Sequence, residues 1–246
     1  MKNYVPVTDA RNGQTYKTVE INNQIWMSEN LNYNPNKGQQ SRCYLEHYEY
    51  AKPPLLTPEA AKANCDKYGR LYDWETAMGL SNCNNKSCAI QIQQKPYQGI
   101  CPNGWHLPDT SEWGALKKFI EDEIFHNWED VDFGWDVGTK LKAIIGWKEN
   151  STSDKGVDSY GFGATGTGYC VSCNNDDLNS AAGYYSGLEE EAHWWSATEY
   201  KDLDAAPTPH GTKAFKSKIT YNKKVLTQEI EKKADYLYSV RCIKNK

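Results

Sequence analysis

The first regular pattern in the chain is an alternation of polar and β-branched residues at 15–21. The run at 24–27 returns after Asn22 and Asn23, two residues that tolerate positive φ in a tight turn. The segment 14–27 is therefore predicted to form an N-terminal β-hairpin. Further on, proline and glycine recur without a clear hydrophobic period, and that stretch is predicted to be loop.

A first helix is predicted from its end signals. Thr57 can cap it, Pro58 suits the first helical position, and Glu59 places an acid in the first turn. Gly69 predicts that the helix stops just after Tyr68.

The clearest helix is predicted to begin after Asp109, which can act as its cap. Glu112 lies three residues on, as in a capping box. Trp113, Leu116 and Ile120 then form one apolar stripe. These residues predict a helix that packs one face against the core.

The pattern changes in the second half of the chain. A helix is predicted over 137–145, with Leu141, Ile144 and Ile145 facing inward and Gly146 at its end. Short alternating or aromatic runs separated by turn residues then predict strands of one antiparallel sheet, at 161–169, 183–186, 194–198, 213–221 and 236–243. Early helices, late strands and the hairpin predict an α+β architecture in a single domain, 1–246.

Composition places the chain outside the cytoplasm. Its eight cysteines accompany a mean hydropathy of −0.81 and a net charge of −4, and so many thiols favour an oxidising compartment. No stretch approaches the ~20 apolar residues of a membrane span, and no apolar leader is present at the N-terminus. We expect the mature part of an exported protein, extracellular or at an outer-membrane surface, without a transmembrane segment.

The charge pattern gives no general case for nucleic-acid binding. Lysines are concentrated in the last part of the chain, where acidic residues interrupt them, and a solvated sheet face is expected there rather than a specific anion site. These lysines are Lys213, Lys216, Lys218, Lys223, Lys224, Lys232 and Lys233.

Several runs together resemble the Fibrobacter succinogenes major paralogous domain, a family of bacterial surface and secreted proteins. In chain order they are DARNGQTY at 9–16, QIWMSENL at 24–31, YGRLYDW at 68–74, CPNGWHLP at 101–108 followed by Trp113, KLK at 140–142, YGF at 160–162, WWSAT at 194–198 and SVRC at 239–242. They span nearly the whole chain, and as a set they are specific.

The resemblance implies a variant of the C-type-lectin-like fold. Two main helices would pack on a small, twisted antiparallel sheet with long, disulfide-stapled loops. It also implies surface attachment or ligand binding, often suggested to involve plant polysaccharide, without an established catalytic activity. The stretches 81–98, 121–136 and 199–214 look less family-like, and specificity is expected in these variable loops.

Four disulfides are proposed among the cysteines. Cys101–Cys242 joins the two most family-like motifs and echoes the staple at the ends of lectin-like folds. The other pairs are Cys43–Cys65, Cys83–Cys88 and Cys170–Cys173, the last two closing small local rings. Two alternatives stay open: a Cys₄ zinc site from Cys83, Cys88, Cys170 and Cys173, and redox chemistry at Cys170 and Cys173.

Calcium is the candidate cofactor, because many sugar-binding lectin-like domains use it and it needs converging oxygen ligands. The candidate ligands are Asp176, Asp177 and Asn179, with Asp154 and Asp158 as a second group. Ordinary turn formation explains both clusters equally well.

No active-site motif is readable. The chain lacks a Ser-His-Asp motif, a phosphate loop and a zinc-protease signature. Adjacent acids at 189–191 precede His193, but such a run is typical of a solvated turn. His106 lies in a structural motif and is predicted to be a hydrogen-bonded core histidine rather than a catalytic base.

Aromatic residues are abundant, with nine tryptophans and seventeen tyrosines. The tryptophans in family motifs are predicted to be core: Trp26, Trp74, Trp105, Trp113, Trp147, Trp194 and Trp195. Those in variable, polar stretches are predicted ligand contacts, because exposed rings stack on sugar faces. The candidates are Trp128, Trp135, Tyr48, Tyr50 and Tyr200.

The sequence therefore predicts a non-catalytic surface or secreted module that binds glycan. A protein-interaction or structural module of a surface complex is the first alternative. An enzyme on a lectin-like core, of the formylglycine-generating type, is the second.

Overall fold

The computed structural model describes residues 5–35, 40–45, 57–92, 95–126, 136–149, 155–173, 184–201 and 211–246. Its helices within these ranges are Pro58–Tyr68 (α1), Trp74–Ala77 (α2), Thr110–His126 (α3) and Val137–Leu141 (α4). Its strands are Val7–Thr8 (β1), Thr15–Tyr16 (β2), Thr18–Ile21 (β3), Gln24–Met27 (β4), Ser41–Arg42 (β5), Leu71–Tyr72 (β6), Trp105–His106 (β7), Thr167–Val171 (β8), Tyr184–Leu188 (β9), Glu191–Glu199 (β10), Lys213–Thr220 (β11), Thr227–Lys232 (β12), Tyr236–Ser239 (β13) and Ile243–Lys244 (β14).

Sheet dominates this α+β fold, and its helices are few and mostly short. The largest sheet has the order β12-β11-β10-β8-β13-β6-β5, with β9 paired to β8. A second sheet has the order β3-β4-β14-β7, and β1 pairs with β2.

The prediction of one antiparallel sheet is wrong in detail. In the large sheet β10 meets both β8 and β13 in parallel, through the single residue pairs Ala192–Gly168 and Trp194–Ser239. The remaining pairs of that sheet are antiparallel. Long connections separate β8 and β13 from β10, so no tight hairpin forces these neighbours to be antiparallel.

Local end signals act as the sequence predicts. The Thr57 side chain accepts from the Ala60 amide, and α1 ends at Gly69 with φ 78°. A Cβ there would lie 2.7 Å from Asn30 Cβ, so close packing as well as positive φ requires glycine. The N-terminal hairpin turns through Asn22 and Asn23, both at positive φ.

The capping box of α3 is also formed. The Glu112 amide donates to Asp109 Oδ1 at 3.1 Å, and the Asp109 amide donates to Glu112 Oε2 at 3.0 Å. Two backbone donors at the helix start are thereby satisfied reciprocally.

The prediction of a helix over 137–145 is wrong beyond Leu141. The chain becomes extended at Lys142, which forms an isolated bridge with Ala164. Ile144 and Ile145, predicted to face inward, are consequently 76% and 80% exposed. Leu141 itself is buried as predicted.

Tryptophans make up much of the core. Six of the seven predicted core tryptophans are buried. The seventh, Trp147, is partly buried and packs against the cluster that contains Trp26, Trp113 and Trp194. Trp113 packs against Trp26 and Trp194, with ring centroids 4.9 and 5.7 Å away. The Arg241 guanidinium lies 4.5 Å from the Phe162 ring and donates to Asn30 Oδ1. Burial lowers the pKa of Arg241 to about 9, so it stays charged at neutral pH.

All eight cysteines are paired. The disulfides are Cys43–Cys65, Cys83–Cys88, Cys101–Cys242 and Cys170–Cys173, as predicted. The redox alternative at Cys170 and Cys173 stays a prediction, because a disulfide is also the oxidised form of a redox pair. The pairing replaces the zinc alternative, because a Cys₄ site needs free thiolates. It also indicates a protein that is not cytoplasmic. In the described part of the chain, none of the helices is long and apolar enough to cross a membrane.

Candidate functional site

Strand β10 carries different surroundings on its two faces. Trp194 points into the buried apolar cluster that contains Trp113. Its neighbours His193 and Trp195 point the other way, since successive strand residues alternate between faces. At Trp195 that second face is core, whereas toward Glu191 it becomes partly exposed.

Tyrosines from three strands extend this second face. Val171 of β8 pairs with Tyr184 of β9 and with Tyr236 of β13, so the three residues share one row. Tyr169 lies in the next row, opposite Ser186. We call this surface the tyrosine face: Tyr169, Tyr184, Glu191, His193, Lys216, Lys218, Glu229, Glu231, Tyr236 and Tyr238.

The rings of the tyrosine face are packed against one another. Tyr236 stacks on Tyr238 at 5.5 Å, and His193 stacks on the same Tyr238 at 4.8 Å between ring centroids. Tyr169 lies 6.2 Å from Tyr236. Tyr238 is buried while Tyr169 and Tyr236 are half-buried, so a fixed inner ring supports two outer rings that face solvent.

Each lysine of the tyrosine face is paired with a carboxylate. Lys216 Nζ lies 3.2 Å from Glu231 and 3.6 Å from Glu229, and it donates to the Tyr238 hydroxyl at 3.0 Å. Lys218 Nζ lies 3.0 Å from Glu191. Both lysines are therefore neutralised, and with three carboxylates against two lysines the face has a slight excess of negative charge.

Burial and pairing shift the titrations on this face. Burial lowers the pKa of His193 to about 4, although its Nε2 contacts Glu191 at 2.9 Å. The bond to His193 and the neighbouring Lys218 lower the pKa of Glu191 to about 2. Burial raises the pKa of Tyr238. At neutral pH the face thus presents neutral His193 and Tyr238 beside ionised Glu191.

The expectation of a solvated face for the lysine-rich tail is wrong at two positions. Lys216 is 5% exposed and Lys233 is fully buried. Lys233 pairs with Glu199 and donates to the Cys83 carbonyl at 3.1 Å. Buried lysines require such partners, because an unpaired buried ammonium is costly.

A cleft of about 920 Å³ lies elsewhere, at the N-terminus of α3. The β3–β4 turn and β14 form one side, and the end of β10 forms the other. Helix α3 joins these sides, since His106 beside β14 contacts Glu112 while the Thr110 amide donates to Thr198 Oγ1 at 3.0 Å. We call this region the α3 cleft.

His106 is held at both ring nitrogens in the α3 cleft. Its Nδ1 lies 2.6 Å from Asn245 Oδ1, and its Nε2 lies 2.8 Å from Glu112 Oε1. His106 is thus a bonded, buried histidine within the cleft wall.

Of the five predicted ligand contacts, one lies in the described part of the chain. Tyr200 is partly buried and packs on Phe215 at 5.8 Å, away from the tyrosine face. The other predicted contacts, Trp128, Trp135, Tyr48 and Tyr50, lie outside the described residues, as do the calcium candidates Asp176, Asp177 and Asn179. Among the described residues, no group of three or more His, Cys, Asp or Glu side chains is placed to hold a metal ion.

Sequence reasoning missed the tyrosine face itself. The available signal was the alternation at Glu191 and His193 in β10, at Lys216 and Lys218 in β11, and in the strand that follows them. That alternation shows which residues share a face, but the sequence does not show which strands are neighbours.

The structure thus defines a class: a disulfide-bonded α+β domain with an aromatic sheet face whose lysines are paired with carboxylates. The chain belongs to the family of the Fibrobacter succinogenes major domain, whose model matches residues 19–244. Neither a curated protein nor a solved structure matches the chain.

Proposed function

We propose that the protein is a non-catalytic bacterial surface or secreted module that binds a neutral glycan on its tyrosine face. The observation that carries the proposal is the pair of half-buried rings, Tyr169 and Tyr236, held by the buried Tyr238. Rings fixed in advance stack on sugar faces with little loss of conformational freedom.

The pairing of both lysines with carboxylates supports a neutral ligand. Lys216 and Lys218 are already paired with Glu231 and Glu191, so an acidic sugar would have to compete with built-in carboxylates. A neutral sugar instead meets donors and acceptors that its hydroxyl groups can share.

Location and fold form part of the same proposal. The disulfides favour folding outside the cytoplasm, and family membership favours the cell surface or the medium, including the outer-membrane surface. A C-type-lectin-like topology is supported by Cys101–Cys242, which ties the segment before α3 to the last strands.

Retention on insoluble cellulose and on xylan tests the proposal. Wild-type protein is expected to bind at least one of them, and Tyr169→Ala with Tyr236→Ala to lose ~10-fold or more in affinity, since each stacked ring contributes about 1 kcal/mol. Tyr236→Phe keeps the ring and is expected to retain binding.

Tyr160→Ala is the matched control, because Tyr160 is also a partly buried ring but packs on Phe119. Trp128→Ala and Trp135→Ala test the sequence-based candidates in the same assay. Absence of retention on neutral polysaccharide would overturn the proposal, and a protein partner from outer-membrane fractions would favour the protein-interaction alternative.

A further inference from the structure

The α3 cleft differs from the tyrosine face in how its lysines are placed. Lys201 lines it just beyond the end of β10, and Lys244 and Lys246 line it at and just beyond the end of β14. All three are exposed, and within the described residues none of them has an ion-pair partner.

The carboxylates that line the α3 cleft are already engaged. Asp109 pairs with Lys95 at 2.9 Å and accepts from the amides of Ser111 and Glu112. Glu112 is bonded to His106, and Glu199 is paired with Lys233. The lining therefore has lysine charge in excess, although the whole chain carries a net charge of −4.

Helix α3 adds to this positive potential. It is seventeen residues long and its N-terminus lies in the cleft, where the helix dipole favours negative charge. Gln24 Oε1 is buried there without a partner among the described residues, and as an acceptor it suits a hydroxyl group of a ligand rather than a carboxylate. The volume of about 920 Å³ suits a ligand of several rings.

We propose that the α3 cleft is a second ligand site, which takes a carboxylate-bearing ligand of the size of a short acidic oligosaccharide. Lys201 and the pair Lys244 and Lys246 would contact its carboxylates from opposite sides, with Tyr97 providing an apolar wall. This site is independent of the neutral-glycan proposal, because it shares no residue with the tyrosine face.

Calorimetric titration with trigalacturonate tests the site, and the fully methyl-esterified trimer serves as an uncharged probe of the same skeleton. The wild type is expected to bind trigalacturonate and to bind the ester at least ~10-fold more weakly. Lys201→Gln, Lys244→Gln and Lys246→Gln are expected to weaken binding about twofold to fivefold each, as for exposed ion pairs.

The triple variant Lys17→Gln, Lys155→Gln, Lys223→Gln is the matched control. It removes the same charge from exposed positions outside the cleft lining and should leave affinity unchanged within about twofold. Equal losses in this control and in the variant that combines Lys201→Gln, Lys244→Gln and Lys246→Gln would overturn the proposal. So would equal binding of the ester, or inorganic phosphate binding as tightly as trigalacturonate. Retention of this binding by Tyr169→Ala with Tyr236→Ala separates it from the neutral-glycan site.

Discussion

The tyrosine face and the α3 cleft both contain lysines and carboxylates, but in different arrangements. On the tyrosine face each lysine is paired, and Lys216 is nearly buried between Glu231 and Tyr238. In the α3 cleft, Lys201 and Lys244 are exposed without ion-pair partners among the described residues. This difference in the pairing of charges is the basis of the two ligand proposals.

The secondary-structure elements that form the two regions differ as well. The tyrosine face is built from strands β8 to β13, and its inner rings are part of the core. The α3 cleft lies where a helix start, a short strand and a strand end meet. Changes to the inner rings of the tyrosine face should thus affect folding, whereas changes to its outer rings or to the cleft lysines should mainly affect binding.

Removal of the inner ring should give the largest effect. Tyr238→Ala deletes a buried ring that contacts Trp195, His193 and Tyr236, and it is expected to cost about 3–5 kcal/mol in the free energy of unfolding. Urea unfolding measures it, with Lys244→Gln as the cleft counterpart, expected within about 0.5 kcal/mol of wild type. A similar stability of both variants would show that the tyrosine face is not part of the core.

Acidification should give the next largest effect, a loss of folding stability that originates at His193 on the tyrosine face. The folded pKa of His193 is lowered to about 4 from an ordinary value of 6.5, so the unfolded chain takes up a proton first as pH falls. Stability is then lost between pH 6.5 and 4, by on the order of 3 kcal/mol. Glu191, lowered to about 2 from 4.5, adds loss below pH 4.5.

His193→Phe keeps a ring against Tyr238 but cannot titrate. Urea unfolding as a function of pH should show a flatter slope for this variant between pH 6.5 and 4. An unchanged slope would assign the acid sensitivity to other groups.

Salt should change ligand affinity at the two regions by different amounts, and this effect should be smaller than the two preceding ones. Trigalacturonate binding should weaken about tenfold between about 50 and 500 mM sodium chloride, because the lysines of the cleft are exposed and their charges are screened. Retention on cellulose should change less than about twofold, since ring stacking does not depend on charge. Equal salt dependence would remove the distinction between the two regions.

Asp109→Asn should give the smallest effect. Asparagine caps a helix as well as aspartate does, so the free energy of unfolding should stay within about 0.5 kcal/mol. The change frees Lys95 and removes a negative charge, and trigalacturonate should bind about twofold to fivefold more tightly by titration. Weaker binding would show that Asp109 contacts the ligand directly.

The ends of the helices could be predicted from the sequence, because they depend on contacts between residues close together in the chain. Thr57, Gly69 and the Asp109–Glu112 pair mark helix ends through contacts within a few residues, and the structure confirms them. The same reasoning failed at Ile144 and Ile145, where a helical period continues but the chain leaves the helix to pair Lys142 with Ala164. Tertiary pairing overrides a weak local preference there.

The two candidate regions were not readable, for a different reason. Tyr169 and Tyr236 are 67 positions apart in the chain and meet only because β8 pairs with β13. Lys201 and Lys244 share the α3 cleft only because α3 contacts both β10 and the β7–β14 pair. Cross-strand neighbours of this kind depend on topology, which the hydrophobic pattern does not encode.

The most direct test is a crossed binding measurement. Wild type, Tyr169→Ala with Tyr236→Ala, and Lys201→Gln with Lys244→Gln and Lys246→Gln are each titrated with soluble xylan oligosaccharide or cello-oligosaccharide and with trigalacturonate. The tyrosine variant should lose the neutral ligand and keep the acidic one, and the lysine variant should do the reverse. Loss of both ligands in a single variant that remains folded would contradict the existence of two sites with different charge preferences.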